Sequence, residues 1–173
     1  MGNIIYLKNM KGDNEMANAQ MEKVCVSDID TISDYFLNKQ AMTPKKLQKI
    51  CYYAYAWYLT MYNERLFDDG KFQAWVHGPV NPYLYSKYKN YGWNKIDKKE
   101  NVEVNEELSE FLDTIFNTFA GFTGDELENM THRETPWIEQ RKGYEPYEAC
   151  TRIINDETIK VFYRNLMERS QGE

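Results

Sequence analysis

Apolar and polar positions follow a clear helical pattern after the Thr43-Pro44 pair. From Leu47 to Met61, apolar residues recur every three or four positions, which is the spacing of one helical face. Threonine suits the N-cap. Proline fits the first turn because backbone N–H groups there have no acceptor within the helix, so a residue without an N–H loses no hydrogen bond. Tyrosines and a cysteine widen the apolar face until little of the surface is polar, and such helices are normally buried. We therefore predict a central buried helix over about 44–62.

The same pattern predicts further helices and two short strands. Helices are expected over 28–38 with Ser27 as the cap, from Asn81-Pro82 to 90, and over 106–119, 125–130, 136–143 and 156–167. Residues 72–76 alternate as a strand that Gly78-Pro79 stops, and the weaker alternation over 95–105 suggests a second strand pairing with it.

These elements predict a mainly α fold, a compact helical bundle around the central buried helix with one small β-hairpin. At 173 residues the chain is long enough for one domain with a real core. We expect an irregular N-terminal lead-in over 1–24, a single globular domain over 25–169, and a tail over 170–173.

Composition narrows the classes of function. The formal net charge of −6 argues against a general nucleic-acid binder, since phosphate attraction needs a basic face, and it suits a basic protein partner. Three cysteines without a CxxC spacing indicate neither a disulfide framework nor a zinc site. No apolar run reaches the roughly 18 residues of a membrane span, and the N-terminus lacks a secretory pattern. We expect a cytoplasmic protein without a membrane partner.

Candidate chemistry is sparse. His77 and His132 are the two histidines, and an acid–base pair requires both to face one cavity. No nucleophile motif stands beside them, so we interpret both as structural and expect no enzyme, while a histidine-dependent enzyme that also uses Glu134 stays an alternative. No metal-ligand spacing and no glycine-rich phosphate loop is present, so we expect no metal and no cofactor.

Two local features concern surfaces. Lys45, Lys46 and Lys49 open the central helix, where positive charge is unfavourable relative to the helix dipole. We predict a solvated first turn, with a surface for an acidic partner group as the alternative. Residues 74–85 combine prolines, a glycine and aromatic rings, which predicts a rigid turn and a good contact surface.

Four segments resemble, in order and spacing, the SocA/GepA-like phage-associated domain, also called Panacea. They are KLQKICYYAYAWYL, LFDDGKFQAWVHGPVNPYLY, LENMTHRETPW and INDETIKVFY, and the resemblance covers residues 29–163. It implies an antitoxin of a bacterial or phage toxin–antitoxin pair, which neutralises a cognate protein toxin by direct binding. Because one member of the family delivers its toxin to a protease, a proteolytic adaptor or a phage-encoded inhibitor of a host protein is the alternative.

The resemblance also places a family signature on this chain. Its positions are Leu47, Lys49, Tyr52, Tyr53, Ala74, Trp75, Gly78, Pro79, Val80, Pro82, Tyr85, Thr131, His132, Pro136 and Trp137. A domain that serves many partners is expected to use shared residues for its scaffold more than for reading one toxin. We further expect the tyrosine hydroxyls of the central helix to bond to the AWVHGPV turn.

Overall fold

The computed structural model describes residues 27–69 and 71–170, which form seven α-helices, one 3₁₀ turn and one two-stranded sheet. The helices are α1 (Ile29–Lys39), α2 (Pro44–Tyr62), α3 (Pro82–Tyr88), α4 (Glu106–Phe119), α5 (Gly124–Thr131), α6 (Thr135–Gln140) and α7 (Asp156–Arg169). The strands are β1 (Gln73–Trp75) and β2 (Gly78–Val80), and the 3₁₀ turn is Lys89–Tyr91. The prediction of a mainly α fold with a small hairpin is confirmed.

Helix α2 is the centre of the fold. Every residue from Leu47 to Thr60 is buried, and α1, α4, α5, α7 and β2 all pack against it. Thr43 accepts a hydrogen bond from the Lys46 N–H, and Pro44 is the first helical residue, as the sequence predicted. Its 19 residues span about 28 Å, roughly the width of the domain. Neither α2 nor any other helix in the described ranges combines the length and apolar character needed to cross a membrane.

Side-chain caps set most of the other helix starts. Asn105 and Asn155 accept backbone N–H groups at the starts of α4 and α7, and Thr123 forms a capping box at α5. Asp28 caps α1, so this helix begins one residue later than the Ser27 cap predicted. The expected lead-in over 1–24 and residues 171–173 of the expected tail lie outside the described residues.

The hairpin is present, but the prediction of its second strand is wrong. Strand β1 pairs with Gly78–Val80 across the two-residue turn Val76-His77, and not with residues 95–105. Ala74 faces Pro79, where proline needs no N–H because Ala74 directs its own N–H to the Arg152 carbonyl on the other side. The 95–105 segment instead makes a single bridge, from Ile96 to Met42.

Large rings fill the core around α2. Trp57 is 1% exposed and meets Tyr163 of α7 edge-on at 5.0 Å, and Tyr53 stacks on Phe119 of α4 at 4.1 Å. Rings supply much apolar area per side chain, which lets a chain of this size build one core from few positions.

Candidate functional site

Signature residues from three segments meet where the start of α2 passes the β-hairpin. The Lys49 Nζ donates a hydrogen bond to the Pro79 carbonyl at 3.0 Å. A Cβ on Gly78 would lie 2.7 Å from Lys49 Cε and 2.8 Å from the Oγ1 of Thr131 at the end of α5. We call Lys49, Gly78, Pro79 and Thr131 the hairpin cluster. The tight approach, together with a φ of +92° at Gly78, requires glycine there.

The lysines of the first turns are not a solvated group, so that prediction is wrong. Lys49 is 1% exposed, and burial lowers its pKa to about 7, although the Glu128 charge opposes part of the shift. Lys45 forms an ion pair with Glu128 at 2.7 Å, and Lys46 donates to the Ala120 carbonyl at 2.6 Å. The positive charges therefore connect α2 to its neighbours.

A second link between α2 and the hairpin uses an amide pair. Gln48 donates to the Asn81 carbonyl at 3.0 Å and accepts the Asn81 N–H at 2.8 Å. Asn81 is fully buried, and its side chain caps α3 by accepting the Leu84 N–H at 3.0 Å. The contact thus fixes the direction in which α3 leaves the hairpin.

Helix α6 holds the opposite side of the hairpin. Trp137 donates its indole N–H to the Trp75 carbonyl at 2.9 Å. The His132 imidazole stacks on the Trp137 ring at 4.1 Å, and burial lowers the pKa of His132. These contacts bring Trp75, His132 and Trp137 of the signature to one place.

Arg141 anchors the loop that follows α6. This side chain is buried and donates to the Ala74 carbonyl at 3.0 Å and to the Glu148 carbonyl at 2.8 Å. Its guanidinium also lies over the Trp137 ring. Arg141 therefore ties the 145–148 loop to strand β1.

Both histidines converge on the carboxylate of Glu128. Its Oε1 lies 3.0 Å from His77 Nδ1 and 4.0 Å from His132 Nε2. Burial would raise the pKa of Glu128, but the hydrogen bonds from Lys45 and His77 outweigh it, so the pKa lies below its ordinary value. The hydrogen bond between His77 and Glu128 joins the hairpin turn to α5. In the described ranges, no three His, Cys, Asp or Glu side chains are placed to hold a metal ion.

The tyrosine hydroxyls of α2 bond elsewhere than predicted. Tyr53 donates to Glu134 at 2.9 Å, Tyr163 of α7 donates to the same carboxyl at 2.7 Å, and Tyr55 donates to Asp156. The expected bonds to the AWVHGPV turn are therefore wrong. Burial raises the pKa of Glu134 to about 7, against the opposing effect of the two tyrosine bonds.

The remaining signature residues are mostly interior. Leu47, Tyr52, Ala74, Val80 and Pro136 are buried, and Pro82 occupies the first turn of α3. Tyr85 differs because it is 45% exposed and packs edge-on against Trp75 at 4.9 Å.

Gln48, Glu128 and Arg141 are part of the same site, although no sequence motif predicted their roles; Asn81 was predicted only as the start of a helix. One signal was present, since Glu128 precedes His132 by four positions and so shares its helical face. Gln48 and Arg141 reach the hairpin through carbonyl groups that lie more than 30 residues away in the sequence, those of Asn81 and Ala74.

An open groove lies beside the hairpin. Its volume is about 590 Å³, and its walls come from β1, the turn and the loop after α6, including Trp75, Val76, His77, Tyr147 and Ala149. Tyr147 is 90% exposed at its rim. Aromatic side chains on a braced backbone are suited to binding a protein partner.

Comparison with known proteins gives one family. Residues 47–138 match the model described as "Antitoxin SocA-like, Panacea domain", a range that contains most of α2, the hairpin, α3, α4, α5 and the start of α6. No curated protein and no solved structure matches. The matched range holds every contact of the hairpin cluster. The chain therefore belongs to the SocA-like antitoxin family with a Panacea domain.

Proposed function

We propose that this chain neutralises a cognate protein toxin by binding it directly, without a chemical step, in the cytoplasm of a bacterium or a phage-infected cell. Membership in the SocA-like antitoxin family is the observation that carries the proposal. The acidic net charge of −6 supports a basic toxin as the partner. Complementary charge would raise the association rate and make it sensitive to salt.

The toxin-binding surface that we propose is the aromatic rim of the hairpin groove. It consists of Trp75 and Tyr147, which line the groove, and of Tyr85, whose ring packs edge-on against Trp75; Tyr85 and Tyr147 are 45% and 90% exposed. Tyrosine and tryptophan are frequent binding hot spots because they offer large contact areas with few rotatable bonds. Helices α2 and α6 brace the backbone behind this rim, which limits the entropy lost on binding.

Co-expression with the product of the neighbouring gene tests the function. Growth should stop when that product is expressed alone and resume when this chain is expressed with it. A purified mixture should then contain a complex of the two proteins. A product that is harmless alone, or that stays toxic beside this chain, would contradict the proposal.

The surface is tested by Tyr85→Ala and Tyr147→Ala, with Tyr83→Ala as the matched control. Tyr83 is similarly exposed, at 50%, but it lies two positions before Tyr85 on the same helix, so its side chain points away from Trp75 and its hydroxyl donates to Asp30 instead. Each groove variant should weaken toxin binding by roughly tenfold or more, as hot-spot truncations do. Equal binding by all three variants would place the toxin elsewhere on the molecule.

The co-expression experiment also separates sequestration from a role as a proteolytic adaptor. Under sequestration the toxin accumulates with the antitoxin as a stable complex. Under the adaptor hypothesis the toxin level falls on co-expression and recovers in a strain that lacks the protease. Toxin loss of this kind would replace direct sequestration as the mechanism.

A further inference from the structure

The outer side of α7 forms a second groove, far along the chain from the hairpin. With a volume of about 450 Å³, it lies between α6 and α7. Its α7 wall consists of residues three or four positions apart, which places them on one stripe: Thr158, Val161, Phe162, Asn165, Leu166 and Arg169. Val161, at the middle of the stripe, is 55% exposed. Val161, Phe162 and Leu166 form the apolar centre of this stripe, and the opposite side of the helix is already packed on α2.

Charge is distributed unevenly along this groove. Glu139 and Glu157 line the end at the start of α7, and Arg169 lines the other end, about 18 Å from Glu157 along the helix. Glu157 already pairs with Lys160. Within the described part of the chain, neither Glu139 nor Arg169 has an ion-pair partner at 4 Å or less, although Glu139 accepts a weak hydrogen bond from Thr158. The groove thus carries an unpaired negative group at one end and an unpaired positive group at the other.

We propose that the occupant of this groove is a second copy of the chain, whose α7 packs antiparallel to the first. A two-fold axis near the middle of α7 places Val161 opposite the second Leu166 and Phe162 opposite the second Asn165. It also places Arg169 of each copy beside Glu139 of the other, so both ion pairs form at once. Such an interface is isologous, because each copy contributes the same surface.

The pattern favours a second copy over an unrelated partner because it is complementary to itself. An antiparallel pairing matches both unpaired charges, whereas a parallel pairing would put like charges together. One helix stripe with its α6 wall is smaller than the interface of an obligate dimer, so the association is expected to be reversible and concentration-dependent. The groove lies apart from the residues that line the hairpin groove, so the dimer and the toxin use different surfaces.

Sedimentation velocity on the full chain, over a concentration range up to about 100 µM, tests the dimer. The wild-type chain should shift from monomer to dimer within this range. Val161→Asp should abolish the shift, since it puts a charge in the apolar centre. Arg169→Glu and Glu139→Lys should each raise the dissociation constant by about tenfold or more, because each change creates two repulsive contacts per dimer.

Mixing the two charge-reversal variants tests the proposed ion pairs directly. Chains carrying Arg169→Glu and chains carrying Glu139→Lys should each be monomeric, while an equal mixture should form heterodimers in which both ion pairs are restored. The chain with both substitutions should dimerise like the wild type. Arg164→Glu is the matched control, since Arg164 is exposed on the same helix but does not line the groove.

Thermal melting shows that each variant is folded before its association is measured. A wild-type chain that stays monomeric throughout the range overturns the proposal, and so does a dimer that Val161→Asp and Arg169→Glu leave unchanged. If Val161→Asp instead abolishes toxin binding in a chain that is always monomeric, the toxin and not a second copy occupies the groove. Toxin rescue in cells is read separately, so either proposal can fail without the other.

Discussion

Replacing Gly78 by alanine tests how closely the hairpin is held against α2. A Cβ at this position would lie 2.7 Å from Lys49 Cε and 2.8 Å from Thr131 Oγ1, both closer than real Cβ contacts. The backbone φ of +92° is also one that residues with a side chain rarely adopt. Alanine at this position therefore lowers the free energy of unfolding in two ways, through backbone strain and through steric crowding.

The two costs can be estimated separately. A residue with a Cβ in a left-handed conformation loses about 1–2 kcal/mol. Overpacking a filled interior costs about 1–3 kcal/mol, and Lys49 has little room to move because it is buried and bonded to Pro79. The sum, about 2–5 kcal/mol, is a large part of the roughly 5–15 kcal/mol that holds a domain together.

Gly143 provides the matched control. Its φ of +87° is nearly the same, but a Cβ there would meet nothing within 4 Å. Gly143→Ala should therefore show the backbone cost alone, about 1–2 kcal/mol. Urea unfolding of both variants gives the free energies of unfolding, and the difference between them isolates the crowding at Gly78.

Equal losses in the two variants would refute this reasoning, because they would mean that the hairpin moves to admit a methyl group at no cost. A second check uses Lys49→Ala, which removes the crowded Cε. In that background Gly78→Ala should cost less than it does in the wild type, and full additivity of the two changes would contradict a direct contact.

Three further predictions concern buried residues. Because burial raises the folded-state pKa of Glu134 to about 7, the folded chain binds a proton more tightly than the unfolded chain, so stability should fall as pH rises from about 4.5 to 7. The pH dependence of stability that Lys49 causes has the opposite sign. Its pKa in the folded chain, about 7, is below its ordinary value, so stability should rise from pH 7 towards 10.5. Urea unfolding midpoints measured across this pH range should show no fall with pH in Glu134→Gln and no rise with pH in Lys49→Met. Variants that keep the wild-type pH dependence would contradict the burial of these charges. Trp57→Ala should cost about 3–5 kcal/mol and lower the melting temperature by roughly 10 °C, whereas an unchanged melting curve would mean that α2 is not the centre of the core.

Local signals were sufficient to predict the helices. The start of α2 was predicted from Thr43 and Pro44, and the bounds of α4 agree with the prediction over 106–119. Capping and helical periodicity act over a few residues, and a single sequence contains that information in full. The family resemblance likewise used short segments whose order and spacing are visible in the chain.

The hairpin shows where local signals were insufficient. Gly78-Pro79 was interpreted as the end of a strand, because proline lacks the N–H that a sheet needs. In the fold, Pro79 lies at a position where β1 directs its hydrogen bonds to Arg152, so the missing N–H is tolerated. Which side of a strand is already paired depends on a segment more than 70 residues away.

The sequence by itself determined the helical class, the central helix and the family. The helices follow from the periodicity of apolar residues, and the family follows from the order and spacing of short segments. Only the tertiary structure decided the environment of individual polar groups. Lys49 became a buried donor to the hairpin because β2 covers it, and Tyr53 found its acceptor in Glu134, 81 positions later. The free energy of a buried polar group depends on which group, distant in the sequence, forms its hydrogen bond. That partner cannot be read from the order of residues along the chain.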